Sequence, residues 1–184
     1  MAAVQDAAVE LLAEHGPRDV TVRQVAERAR VNHALVHRHF GTKDALIRTV
    51  VTEASRRIGA AAAALGRPDP NAMLHLLREH GAYWRLLARV VLDDPDLLAG
   101  EQLPAAAAVL AVITGGNEAD DTMRAGAAAA AATALGWLVF GPHLATVLEV
   151  RDRAAFDARV GEAVRHAIPA PVRSRRGGRA DPAS

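Results

Sequence analysis

The chain has 184 residues, 51% hydrophobic and 23% charged, enough for one domain or two small ones sharing a core and too apolar for a disordered tail. Cysteine is absent, which excludes a disulfide scaffold, a thiolate metal site and a cysteine nucleophile. With 22 basic residues against 21 acidic ones the net charge is +1, so the distribution of charge, not its sum, has to point to a partner.

The start, Met1-Ala2-Ala3-Val4-Gln5-Asp6, carries no basic segment and no long apolar run, and no secretory signal is expected. Alternating β-branched runs bounded by turns are missing, so the whole chain reads as helical. The first helix is expected over Val4–His15, with Val4, Ala8, Leu11 and Leu12 on one face and Gly16-Pro17 as its stop. A short helix follows over Val22–Ala29; Thr21 caps it, Gln24 completes a capping box, and Val22, Val25, Ala26 and Ala29 form one apolar face. Arg30-Val31-Asn32 then turns into a second short helix, His33–His39. There Leu35, Val36 and Phe40 are expected inside, and His33, Ala34, His37 and Arg38 outside. Phe40-Gly41 ends it, and Thr42 caps a long helix over Lys43–Leu65 whose buried stripe is Leu46, Ile47, Val50, Ala54, Ile58 and Leu65.

Pro68-Asp69-Pro70 breaks the chain, and helices are expected beyond it over Asn71–Leu92, Asp96–Gly100 and Pro104–Ile113. The loops are Asp93-Asp94-Pro95 and Gly115-Gly116-Asn117. A long helix from Asp120 reaches Phe140 or further, with a kink or stop at Gly141-Pro142, and a last helix covers Arg151–Ala167. The tail from Pro169, rich in Pro, Gly and Arg, is expected to be disordered. No Asp, Glu, Lys or Arg occurs from Ala125 to Leu148, a length that reaches a bilayer span. Its first half is mostly alanine, and Pro142 and His143 interrupt the second, so a helix buried between others is expected there and no membrane contact.

Two short helices joined by three residues, Thr21 to His39, have the length and spacing of a helix-turn-helix. In that arrangement the first helix lies across the phosphate backbone and the second enters the major groove. Residues 21–48 hold six basic side chains (Arg23, Arg28, Arg30, Arg38, Lys43, Arg48) against Glu27 and Asp44, a local +4 that leaves −3 for the rest. Basic charge thus gathers where phosphates would lie, the footprint expected of DNA binding.

Three runs carry a resemblance: Ala7–Gly16, Thr21–Ala26 and Val31–Leu46, the last with His39-Phe40 followed by Thr42-Lys43 at the start of a long helix. The stretch from Val4 to Ile47 resembles the DNA-binding domain of the tetracycline-repressor (TetR) family of bacterial regulators. The resemblance implies an all-α fold: a three-helix DNA-binding domain over residues 1–47, a helical ligand-binding and dimerisation domain over 48–168, and a basic tail over 169–184. It implies that Thr21 and Arg23 touch backbone phosphates, and that His33, Ala34, Leu35, His37 and Arg38 face base edges or flanking phosphates. Asn32 joins the DNA-contacting set, His39 and Thr42 hold the backbone, and Lys43, the only lysine, binds a phosphate with the free amides of its helix. The sequence departs from the family where Arg30 replaces a usual glycine and His37 a common tyrosine.

The family further implies a homodimer on a palindromic double-stranded operator, since one such reading unit binds weakly. The alanine-rich helix from Asp120 and the last helix are the expected dimer face. A small apolar effector is expected in a pocket drawn from His80, Tyr83, Trp84, Met123, Trp137, Phe140 and His143, most of which read more readily as plain core. No cofactor or metal is expected: His33 and His37 stand at i, i+4, but Ala34 takes the place of a metalloprotease glutamate. Asp93-Asp94-Asp96 lacks calcium-loop spacing and reads as capping. The rival readings are a dimeric helical interaction module that reads no DNA and an α-helical enzyme using His80 or His143.

Overall fold

A computed structural model describes residues 1–65, 70–114 and 121–166. The described elements are α1 (Ala2–His15), α2 (Val22–Arg28), α3 (His33–Phe40), α4 (Lys43–Ala64), α5 (Pro70–Glu79), α6 (Gly81–Asp93), a 3-10 turn (Pro95–Leu98), α7 (Pro104–Thr114), α8 (Asp121–Val147) and α9 (Arg153–His166). All secondary structure among these residues is helical, as the missing strand patterns require. The Pro68-Asp69 break, the Gly115-Gly116-Asn117 loop, the tail from Pro169 and the Met123 side chain lie outside the described residues.

Local chemistry sets the first four helices. Thr21 and Gln24 form the full capping box of α2: the Gln24 amide donates to Thr21 Oγ1 at 3.2 Å and the Thr21 amide to Gln24 Oε1 at 2.7 Å. Asn32 caps α3 by accepting from the Ala34 amide at 2.8 Å, and Thr42 caps α4 by accepting from Ala45 at 3.1 Å. Between α2 and α3 the Arg30 amide donates to Glu27 O and the Val31 amide to Ala26 O, a Schellman closure with Arg30 in the left-handed region at φ 56.

The core begins where Val4, Ala8 and Leu12 of α1 meet Val25 and Ala26 of α2, Val36 and Phe40 of α3, and Leu46, Ile47 and Val50 of α4. It continues along α4 through Ala54, Ile58 and Ala62 to Leu76, Tyr83, Trp84, Leu86, Val90, Leu97 and Ala105. Each such large apolar side chain contributes about 1.5–3 kcal/mol on burial, so α4 is both a structural spine and the link between the two ends. It runs unbroken through residues 47 and 48. A Cβ built at Gly59 would lie 2.7 Å from the Pro104 Cβ, so α4 and the start of α7 meet at their backbones. Beside that contact the buried Ser55 hydroxyl accepts the Ala105 amide at 3.0 Å.

The structure departs from the sequence expectations in identifiable ways. Leu35 is 39% exposed, not inside: eight residues of α3 bury only the i, i+4 pair Val36 and Phe40. Leu65 is 43% exposed because it is the C-cap of α4, beyond its last turn. The expected helix over Asn71–Leu92 is two, α5 and α6, parted at His80, whose ψ of 28 leaves the helical range just before Gly81. Asp96–Gly100 is not an α-helix; Pro95–Leu98 makes a 3-10 turn capped by Asp94, which accepts from the Asp96 amide.

Pro142 does not stop α8, which continues to Val147. Arg153 of α9 reaches α8 beside that point, donating from Nη1 to Gly141 O at 3.0 Å and from Nε to Asp157 Oδ1 at 2.8 Å. Nor is α8 buried between other helices. Phe140, Leu144 and Val147, spaced i, i+4, i+7 on one face, are exposed, as is Leu148 just past its end.

Candidate nucleic-acid interface

α3 is placed by what it buries. Val36 is fully buried and Phe40 nearly so, which turns His33, Ala34, Leu35, His37, Arg38 and His39 outward. The His33 and His37 rings stand side by side with centroids 6.4 Å apart, and the His39 ring meets Phe40 edge-on at 4.7 Å. Among the described residues Arg38 has no ion-pair partner, so its guanidinium is free for a phosphate or a base edge.

The flanking candidates differ in how much hydrogen-bonding capacity they retain. The Thr21 hydroxyl donates to Gln24 Oε1 at 2.8 Å while accepting the Gln24 amide, so it is spent on the cap. Asn32 Oδ1 is likewise spent, leaving its amide NH2 as the free donor. Thr42 accepts the Ala45 amide and keeps its O–H. Arg23 is exposed and pairs with Glu27 at 2.9 Å through Nε, with its terminal nitrogens left over.

Lys43 is half-buried and donates from Nζ to the backbone carbonyl of Arg18 at 3.0 Å, which holds the ammonium at the start of α4 with two donors remaining. Arg18 in turn reaches the end of α6, donating to Asp93 O at 3.3 Å. Periodicity gives no sign of this role for Arg18, because it lies in the loop between α1 and α2. Arg30 is a further exposed cation, in the turn itself.

The expected ligand residues fall in different places. A cleft of about 300 Å3 lies between α1, α4 and the α5–α6 junction, and His80 and Tyr83 line it. Trp84 is in the core, with its Nε1 buried and unpartnered. Trp137 is half-buried where α8 meets α9, donating to Asp157 Oδ1 at 2.8 Å beneath the Arg153 guanidinium. Phe140 and His143 are exposed on α8. Burial pushes the Tyr83 hydroxyl above its ordinary pKa, offset in part by the neighbouring Ser55 hydroxyl.

Residues 5–50 match the family model of bacterial regulatory proteins, tetR family. The chain is 33% identical over 164 residues to the HTH-type transcriptional repressor Rv3405c of Mycobacterium tuberculosis, spanning 86% of this chain and 82% of that protein. It is 42% identical over 65 residues to the HTH-type transcriptional regulator BetI of Brucella anthropi, 35% of this chain and 34% of that one. The solved structure of the fatty acid degradation regulator FadR from Bacillus halodurans superposes with a TM-score of 0.61 at 15% identity, covering 89% of this chain and 96% of that chain. At that identity the likeness is one of fold.

Proposed function

The chain belongs to the tetracycline-repressor (TetR) family of bacterial regulatory proteins and is a DNA-binding transcriptional regulator, and on that premise we propose that it is a homodimeric, ligand-responsive repressor acting on a palindromic operator in the cytoplasm. Residues 1–47 read DNA, and residues 48–168 hold the dimer face and the effector site. The observation that carries this reading is the orientation of α3, which buries only Val36 and Phe40 and presents a polar and basic face. In the major groove His33, His37 and Arg38 meet base edges, while Arg23, Thr42 and Lys43 hold phosphates on either side. Thr21 contributes through the backbone of its turn, since its hydroxyl is committed to the cap.

The exposed α8 stripe supports the twofold partner. Three large apolar side chains on one helical face, with Leu148 just beyond, are costly in water, and a second copy of α8 and α9 covers them in a four-helix contact. Two reading heads then engage half-sites about one helical turn, roughly 34–36 Å, apart. An effector in residues 48–168 tilts α4, changes the separation of the heads and lowers operator affinity. No catalytic role belongs to this reading.

Selection of bound duplexes from a random library tests it. The expected product is a twofold-symmetric site whose affinity falls steeply with salt. Recovery of no enriched sequence, or of a site without symmetry, refutes it.

A further inference from the structure

Three of the eight histidines of the chain, His33, His37 and His39, fall on the eight residues of α3. All three are exposed, and among the described residues their rings make no hydrogen bond and no ion pair. Where a histidine does stand beside a carboxylate it is elsewhere in the fold, His15 at 3.7 Å from Glu14 and His75 at 3.2 Å from Glu79. α3 carries no carboxylate of its own. The elements packed against it, α2 and α4, have most of their charges committed. Arg23 pairs with Glu27 at 2.9 Å and Arg28 with Glu10 of α1 at 3.0 Å. Lys43 donates to Arg18 O, and Arg48 pairs with Glu101 at 3.5 Å. Arg30 in the turn, Arg38 on α3 and Asp44 at the start of α4 are exposed and, among the described residues, without an ion pair.

Imidazole is the side chain whose ordinary titration falls between about pH 5 and 8. Neutral, it offers one donor and one acceptor; protonated, it offers two donors and a charge, which suits a phosphate or the acceptor edge of guanine. The His33 and His37 rings, with centroids 6.4 Å apart, repel each other when both are charged. A duplex, with one negative charge per about 1.7 Å of its axis, offsets that repulsion.

We propose that His33 and His37 couple DNA binding to proton uptake, so that operator affinity rises as the medium acidifies. The inference rests on the reading of α3 as the DNA-facing helix and adds pH as an input to it. Phosphates favour the charged imidazoles in the complex over those in the free protein, so binding takes up protons. The gain in affinity is full below the range in which the free imidazoles titrate, and it is lost as pH rises through their range in the complex. A charge-assisted hydrogen bond is roughly twice as strong as a neutral one, and a dimer carries the pair twice. The expected gain from about pH 8 to about pH 6 is therefore at least about tenfold.

Fluorescence-anisotropy titration of the full chain between about pH 6 and 8, at fixed ionic strength, tests this on a random-sequence duplex pool and on the duplex enriched from it. The enriched duplex is expected to bind at least about tenfold tighter at the acid end, with a salt slope steeper by about one for each imidazole engaged. Calorimetry in two buffers of different ionisation heat is expected to show protons taken up on binding. His33→Gln combined with His37→Gln keeps polar side chains that do not protonate, and is expected to remove most of the pH profile. Each single change is expected to remove about half of the proton uptake. His75→Gln, on α5, is expected to keep both the profile and the uptake. A pH-independent affinity for the enriched duplex, binding without proton uptake, or a profile that survives the double change intact overturns the proposal and leaves the regulator reading standing. If no duplex is enriched, the regulator reading falls, and the same comparison on the pool decides the coupling.

Discussion

Replacing Arg30 with glycine tests how the turn between α2 and α3 is held. Arg30 takes φ 56, and its amide and that of Val31 close the end of α2 at 3.1 and 3.0 Å. A side chain in this region costs about 1–2 kcal/mol. Glycine removes that cost but gains freedom in the unfolded chain, which takes back about 0.4–1 kcal/mol. The net expectation is a stabilisation of about 0.5–1 kcal/mol, or about 1–4 °C in Tm for a chain of this size. Arg30→Ala is the control, because it removes the guanidinium and keeps the strained Cβ. The same closure ends α8, where Glu149 has φ 51 and its amide and that of Val150 donate to Thr146 O and Ala145 O, so Glu149→Gly should show a like gain. The assay is chemical denaturation of the three variants beside the parent at one protein concentration. Should Arg30→Gly prove no more stable than Arg30→Ala, the turn is not strained and the reasoning fails.

Lys43→Ala should weaken all duplexes alike and lower the salt slope by about one per half-site, as measured by titration at several salt concentrations. His33→Ala and His37→Ala should instead change which bases are preferred, read from the selected sites of each variant. Leu144→Glu should leave a helical monomer, by sedimentation and circular dichroism together; a dimer that persists refutes the α8 interface. Tyr83→Phe should gain about 1 kcal/mol, since the buried hydroxyl finds no hydrogen bond of full geometry. The Tyr83 pKa is raised in the fold, so its neutral form contributes stability that is present below the unfolded value near pH 10 and lost as pH rises through the folded one. Denaturation between pH 8 and 11 should therefore show the parent declining more steeply than Tyr83→Phe.

The first four helices were legible because their signals are local. Thr21 with Gln24, Asn32 and Thr42 cap helices within three residues of themselves, and the apolar pair Val36 and Phe40 orients α3 with little help from elsewhere. Leu35 was misplaced by hydrophobicity alone, because an exposed apolar side chain looks like core in a sequence. Farther along, the determinants are distant. His80 parts two helices that periodicity joins, and α8 runs on through Pro142 beside a contact from Arg153 of the next element along the chain. The aromatic residues Tyr83, Trp84, Trp137 and Phe140 share a composition but not a place, and the cleft that Tyr83 lines gathers side chains from three separated segments.

The meeting of Gly59 with Pro104 gives α4 a pivot. A Cβ there would lie 2.7 Å from the Pro104 Cβ, so a rock of α4 that keeps this contact turns about it. From that fulcrum to Lys43 the helix extends about 24 Å at about 1.5 Å per residue. A rock of about 5° over such an arm carries the lysine about 2 Å, enough to break a hydrogen bond. A disturbance too small to alter the core can thus be geared up into a displacement that a groove would notice.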